Sequence, residues 1–120
     1  MKVRNPVLAV LALAVVVGAL ALPAFAAETK SYENVSLVDT NCLKKVKDDP
    51  DAHTRACALK CAGSGYGVLV DGQYLKFDAP GNEKAKAALE ASSAKDHLRV
   101  NVSGELDGET LKVASLTLVE

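Results

Sequence analysis

A histidine and two cysteines follow one another at intervals of four residues in the stretch DAHTRACALKC, and the chain has one further cysteine, Cys42. If residues 50 to about 62 form a helix, His53, Cys57 and Cys61 lie on one face, because four residues advance about 400° around the axis. The three cysteines would supply thiolates and His53 an imidazole, a combination that suits tetrahedral zinc. Thiolates also favour copper(I). These four residues are therefore a candidate metal site.

The same cysteines allow a disulfide, which is the usual state of paired cysteines in exported proteins. Cys57 and Cys61 are a poor pair, because Cβ atoms four residues apart on a helix are roughly 6 Å apart, beyond the ~3.5–4.5 Å of a disulfide. Cys42 would therefore pair with Cys57 or Cys61 and leave one thiol over. His53 would then be a surface residue of the first helical turn without a ligand role. The residue pattern leaves metal binding and a disulfide open.

The N-terminus has the three parts of an export signal. Lys2 and Arg4 form a short basic start, an apolar run follows over residues 7–22, and Ala24-Phe25-Ala26 fits an A-x-A cleavage site. The run is about 16 residues, whereas a membrane-spanning helix needs roughly 20. We therefore predict that residues 1–26 are a cleaved signal peptide. The mature protein is expected to be periplasmic or secreted in a bacterium, without a stable membrane anchor.

The mature chain would have 94 residues (120 minus 26), which is enough for one domain with a modest core. Loss of Lys2 and Arg4 lowers the formal charge from −1 to −3. A mildly acidic domain without a basic cluster is a poor match for nucleic acid, since that affinity depends on neutralised phosphates. We predict a flexible lead-in over 27–34 and a single domain over 35–120.

Local patterns predict five strands and two helices. A first strand is predicted in NVSLVDT, and two hairpins at Asp71-Gly72 and Asp107-Gly108, because an Asp-Gly pair between β-type runs favours a tight turn. Residues 43–50 are charged and are predicted to be an exposed loop. Asp49 followed by Pro50 predicts the N-terminus of the cysteine-bearing helix, which would end before Gly-Ser-Gly. A second helix is predicted in APGNEKAKAALEASSAKD from its helical spacing of Ala and Leu.

This order of elements favours a mainly β protein with two helices. Five strands with a helix between the third and fourth match the oligonucleotide/oligosaccharide-binding (OB) barrel, a partly open five-stranded Greek-key barrel. The cysteine-bearing helix would be an insertion after the first strand. The alternative is an open α+β sheet with both helices on one face. The barrel is favoured because it removes the exposed edge strands of a small open sheet.

Three stretches, SLVDTNC, HTRACALKCAGSGYGVLVDGQYLKFD and LRVNVSGELDGETLKVASLTL, together resemble a group of small exported bacterial proteins with an OB-like barrel. The shared pattern is a first strand that ends in Asp near a Cys, a helix with two more Cys, and a closing V-x-G-x-x-D-G-x-x-L-x-V-x-S hairpin. The resemblance covers most of residues 35–118 and implies the fold and export. In that group a histidine often follows the first cysteine closely, whereas here the nearest histidine is His53.

Two functions are compatible with these patterns. The first is a non-enzymatic exported domain that binds zinc or copper through Cys42, His53, Cys57 and Cys61. The second is a cell-envelope adaptor module, in which a disulfide from Cys42 to Cys57 or Cys61 staples the fold and a protein or glycan partner docks on it. The sequence contains no Ser/His/Asp set or carboxylate pair that indicates catalysis, so we expect no enzymatic activity.

Overall fold

The computed structural model describes residues 28–120, in which five strands form one closed sheet. The strands are β1 (Thr29–Asp39), β2 (Tyr66–Val70), β3 (Gln73–Phe77), β4 (Arg99–Asp107) and β5 (Thr110–Val119). Their order around the sheet is β1-β2-β3-β5-β4, and all neighbours are antiparallel except β3 and β5, which are parallel. Five strands are therefore confirmed, and the alternative of an open sheet is wrong. The predicted signal peptide, 1–26, lies outside the described residues.

Three α-helices connect the strands. They are α1 (Leu43–Val46) and α2 (Arg55–Lys60), which lie between β1 and β2, and α3 (Ala79–Ala91), which lies between β3 and β4. Short 3-10 helices span Thr40–Cys42, Pro50–Ala52 and Ala62–Ser64. The cysteine-bearing helix after strand 1 and the helix between strands 3 and 4 are thus confirmed, and α1 is an additional turn within the predicted loop. Within residues 28–120 no helix has both the length and the apolar character needed to cross a membrane.

The first strand is longer than predicted. It begins at Thr29, and its first residues pair with β4 from Thr29 opposite Glu105 to Tyr32 opposite Val102. The register then shifts at a bulge that contains Asn34, whose φ is 54°. Residues 29–34, predicted as a flexible lead-in, are therefore part of the sheet. Their side chains are mostly exposed, and the backbone pairing with β4 includes them in the strand despite their polarity.

The cysteine-bearing helix begins later than predicted. Pro50–Ala52 form only a 3-10 turn, and Asp49 makes no side-chain cap. His53 is extended, with φ −69° and ψ 128°. The helix starts after Thr54, whose Oγ1 accepts a hydrogen bond from the Cys57 amide at 3.2 Å. The prediction of one helix from 50 to about 62 is therefore wrong, because the Thr54 cap replaces the expected Asp49-Pro50 start.

The two hairpins and α3 follow the predicted local signals. Gly72 and Gly108 have φ values of 79° and 61°, which the tight turns require and which glycine adopts without steric cost. Asp78 caps α3 because its Oδ1 accepts from the Gly81 amide at 3.0 Å. The same oxygen accepts from the Val113 amide of β5 at 3.2 Å, which ties the start of α3 to the sheet.

The core fills the interior of the closed sheet and reaches α2 and α3. Its larger buried members are Leu37, Tyr66, Val68, Leu75, Phe77, Leu89, Leu98, Val100, Val102, Leu111 and Val113. Tyr66 is fully buried, and its hydroxyl donates to the carbonyl of Ala58 at 2.8 Å. Because Ala58 is itself fully buried in α2, this contact fixes α2 against the start of β2. The C-terminal end of α2, with Cys61, is thereby held near the end of β1.

Candidate metal centre

The centre of the site is Asp39, the last residue of β1, whose side chain is fully buried. One carboxylate oxygen, Oδ2, accepts a hydrogen bond from the Cys42 amide at 3.0 Å and so caps the 3-10 helix that follows. The other, Oδ1, lies 2.6 Å from Nε2 of His53. A buried carboxylate is costly unless it is hydrogen-bonded, and both oxygens of Asp39 have a partner.

His53 is buried and reaches Asp39 from the segment between Pro50 and Thr54. Asp51, two residues before His53, holds this segment in place, because its two carboxylate oxygens accept from the Arg99 guanidinium at 3.0 and 2.8 Å. The hydrogen bonds from Arg99 lower the pKa of Asp51, so the pair is ionised at neutral pH. The bidentate ion pair between Asp51 and Arg99 of β4 therefore fixes the position of the segment that carries His53.

The structure brings Asp39, Cys42 and Cys61 together into one potential metal-binding group. One ligand atom from each, a carboxylate oxygen and two sulfurs, lies within 4.8 Å of the other two. The three residues come from different segments: the end of β1, the following 3-10 helix and the C-terminal end of α2. Among residues 28–120 this is the group of acidic, histidine or cysteine side chains whose spacing suits a single ion.

Ser64 links the two segments that carry the thiols. Its hydroxyl donates to the Cys61 carbonyl at 2.8 Å and accepts from the Asn41 amide at 3.2 Å. Asn41 directly precedes Cys42, and the residue before Asn41, Thr40, donates its amide to the Gly65 carbonyl at 3.0 Å. The backbones beside Cys42 and Cys61 are therefore joined by hydrogen bonds that do not involve the sulfur atoms.

The electrostatic environment favours a cation in this group. Burial, together with the negative charge and hydrogen bonding of Asp39 and the neighbouring Cys61 thiol, raises the pKa of Cys42 to about 11. Burial and the nearby Asp39 and Cys61 raise the pKa of Tyr66 to about 12. Ionisation of the Cys42 thiol or the Tyr66 hydroxyl is thus disfavoured beside the Asp39 carboxylate in the absence of a cation. A divalent ion would reverse this, since it stabilises ionised thiols and a carboxylate together.

Cys57 lies apart from the group. It occupies the first turn of α2, is exposed, and belongs to no set of potential ligands among the described residues. His53 is close to the group through its bond to Asp39 but is not a member of it. The predicted helical stripe of His53, Cys57 and Cys61 does not form, because the helix starts only at Arg55 and His53 precedes it.

Asp39 is the site residue that the sequence analysis did not select. Its signal was its place at the end of a predicted strand, three residues before a cysteine. None of the three cysteines is in a disulfide, and of the two pairings predicted for Cys42 the structure places it next to Cys61. The group offers two sulfur ligands and one oxygen ligand to a metal, or two thiols to an oxidant.

The two thiol environments can be distinguished by alkylation of the reduced, metal-free protein with iodoacetamide. Because the thiolate is the nucleophile and the pKa of Cys42 is about 11, the alkylation rate of Cys42 should rise about tenfold per pH unit from pH 8 to pH 10. Cys57, which is exposed, should be modified first at pH 8. Peptide mass spectrometry gives both rates, and a Cys42 rate that levels off below pH 9.5 would contradict the assigned environment.

The interpretation of the site depends on its own geometry, because known proteins provide no match. Protein-family models, curated proteins and solved structures give no match to the chain. The resemblance to small exported OB-like proteins therefore depends only on the three sequence stretches quoted above. What the structure itself shows is a mainly β closed sheet with an Asp/Cys/Cys group that could hold a metal ion.

Proposed function

We propose that this protein is an exported, non-enzymatic domain of the OB-like type that binds one zinc ion through Asp39, Cys42 and Cys61. The observation that carries the proposal is the convergence of one oxygen and two sulfur atoms within 4.8 Å of one another. His53 orients Asp39 and is not itself a ligand. Cys57, which the sequence grouped with the ligands, has no part in the site.

The spacing of the group suits zinc. Zinc binds thiolate at about 2.3 Å and carboxylate at about 2.0–2.2 Å, so ligand atoms around a tetrahedral ion are roughly 3.5 Å apart. A separation of up to 4.8 Å requires only small side-chain rotations, which the partly exposed Cys42 and Cys61 allow. The carboxylate favours zinc over copper(I), because copper(I) prefers purely soft ligands. A water molecule would supply the fourth ligand of a tetrahedral ion.

The contact between His53 and Asp39 supports a role in holding the ligand. Carboxylates that bind metals are themselves commonly hydrogen-bonded, and these outer partners fix their orientation. Here Nε2 of His53 lies 2.6 Å from Oδ1 of Asp39, and both side chains are buried. The carboxylate plane is thereby fixed relative to Cys42, whose amide binds Oδ2. His53 would therefore increase zinc affinity without touching the ion.

A metal at this position would also stabilise the fold. It would join the turn formed by the end of β1 and the 3-10 helix at Thr40–Cys42 to the end of α2, and no disulfide links these two parts of the chain. Binding to a site that exists only in the folded chain adds its free energy to the free energy of unfolding. The ion would thus act as a staple for a small domain.

Support for the OB-like assignment comes from topology. The sheet is closed, β1 pairs with both β2 and β4, β3 runs parallel to β5, and α3 lies between β3 and β4. This is the strand and helix order expected for a five-stranded Greek-key barrel of that type. Export is supported by the basic start, apolar run and A-x-A triplet of residues 1–26.

The test is zinc binding by the reduced mature protein. After removal of metal by a chelator, titration followed by native mass spectrometry should show one zinc per chain. Cys42→Ser and Cys61→Ser should each lower the affinity by more than about 100-fold, because a ligand contributes more than the outer-shell partners whose loss costs 10–100-fold. Cys57→Ser is the matched control and should bind like the unmodified protein. Equal loss in the Cys57 variant, or no zinc in the reduced protein, would refute the site.

A second function is favoured by the same proximity of thiols. A disulfide between Cys42 and Cys61 would close a loop of about 19 residues and stabilise the fold by roughly 3 kcal/mol. The domain would then be a stapled adaptor for an envelope protein or glycan. Protein exported with its own signal and purified without reductant would be two hydrogens lighter than its sequence mass. Cys57 alone would then be alkylated, whereas three alkylated thiols would exclude this form.

A further inference from the structure

We infer that the Cys42 and Cys61 thiols form a redox switch in which a peroxide joins the two sulfurs and releases the metal. The inference rests on the proposed function, because it concerns the regulation of the same site. In this inference Cys42 and Cys61 have two alternative states, one bound to zinc and one joined in a disulfide. Oxidation removes both sulfur ligands in a single chemical event and leaves Asp39 as the only ligand.

The sulfurs are placed for this reaction. They lie within 4.8 Å of each other, and both residues are partly exposed, so a small oxidant can reach them. Closure to a bond of about 2.05 Å needs rotation of two short side chains.

The backbone on either side is held independently of the sulfurs. Ser64 bridges the Cys61 carbonyl and the Asn41 amide, at 2.8 and 3.2 Å. The bond between His53 and Asp39 also uses no sulfur atom. The same framework can therefore carry either the metal or the disulfide, and the fold is kept in both states.

The reaction balances with a peroxide as the oxidant. Two metal-bound thiolates give up two electrons in total and form one S–S bond. Hydrogen peroxide accepts those electrons, its O–O bond breaks, and two protons from solvent complete two molecules of water. Zn²⁺ leaves with its charge unchanged, because zinc has no redox chemistry of its own. A dithiol reductant reverses the change and regenerates both ligands.

Cys57 provides an internal control for which thiols are oxidised. It is exposed and belongs to no group with the other two thiols, and a regular helix keeps positions 57 and 61 too far apart for a disulfide. The switch therefore predicts that Cys57 remains a free thiol when Cys42 and Cys61 are joined. This distinguishes ordered closure from random oxidation of three cysteines.

The experiment uses the zinc-loaded, reduced mature protein and stoichiometric hydrogen peroxide. One zinc per chain should appear in a chromogenic chelator as the protein mass falls by two hydrogens, and peptide mapping should give a 42–61 disulfide. Cys57→Ser should behave identically. Dithiothreitol should restore binding of one zinc. A disulfide that includes Cys57, or zinc that is retained while the 42–61 disulfide forms, overturns the switch.

Failure of the switch and failure of the proposed function give different results. A reduced protein that binds no zinc refutes the metal site and with it the switch. A protein that binds one zinc but releases none with peroxide refutes the switch alone. Zinc release with sulfinic acid at Cys42 or Cys61 and no disulfide also overturns it, since the inference requires the two sulfurs to join.

Discussion

Replacing His53 by alanine is expected to lower the free energy of unfolding of the metal-free protein by about 3 kcal/mol. The physical reason is that Asp39 is fully buried and Nε2 of His53 binds its Oδ1 at 2.6 Å. Alanine leaves that carboxylate oxygen without a partner and a cavity in place of the ring. Denaturant unfolding followed by circular dichroism, in the presence of a chelator, measures the loss.

The matched control for this variant is His97→Ala. His97 also lies close to an aspartate, with Nδ1 at 2.8 Å from Oδ1 of Asp96, but both side chains are more than half exposed. Exposed pairs contribute little, so the control should leave the free energy of unfolding almost unchanged. A His53 variant as stable as the His97 variant would show that the buried contact between His53 and Asp39 does not stabilise the fold.

Replacing Gly104 by alanine is expected to destabilise the fold by about 3 kcal/mol or more, or to prevent folding. Gly104 lies in β4 where the register with β5 shifts. A Cβ there would overlap the Lys112 carbonyl oxygen and lie 2.8 Å from the carbonyl carbon. Both are backbone atoms, so no side-chain rotation relieves the overlap. The strands must separate at the bulge, and the closed sheet depends on their pairing.

Gly63→Ala is the control for Gly104→Ala. A Cβ at position 63 meets no atom within 4 Å, and its φ is outside the left-handed region. Alanine should there change the free energy of unfolding by less than about 1 kcal/mol, on the stabilising side because it restricts the unfolded chain. Urea titration of both variants measures the difference, and equal stability of the two would contradict the packing assigned to the β4–β5 bulge.

The elements that sequence patterns predicted correctly are those set by neighbouring residues. Asp71-Gly72 and Asp107-Gly108 produce their hairpins because glycine adopts the required positive φ wherever the flanking strands are placed. The helix α3 begins where Asp78 can cap it, and Pro80 is compatible with the first turn. Such features depend on a few adjacent residues, so they can be recognised before the fold is known.

The error around His53 has a different origin. Asp49-Pro50 is a good helix start by local rules, but the chain instead forms a 3-10 turn and begins α2 at Thr54. The extended conformation at position 53 lets its ring reach Asp39, which is fourteen residues earlier in the chain. A buried hydrogen bond to a carboxylate outweighs a small difference in helix propensity.

From the sequence alone one can derive the set of available ligands and most of the strands and turns, because composition and local propensity determine them. The tertiary structure decided which ligands meet. Contacts from Tyr66 to Ala58 and from Ser64 to Asn41 bring the ends of β1 and α2 together, and the late start of α2 leaves Cys57 exposed. These contacts join residues distant in the chain through packing of a common core, so no spacing rule along the sequence specifies them.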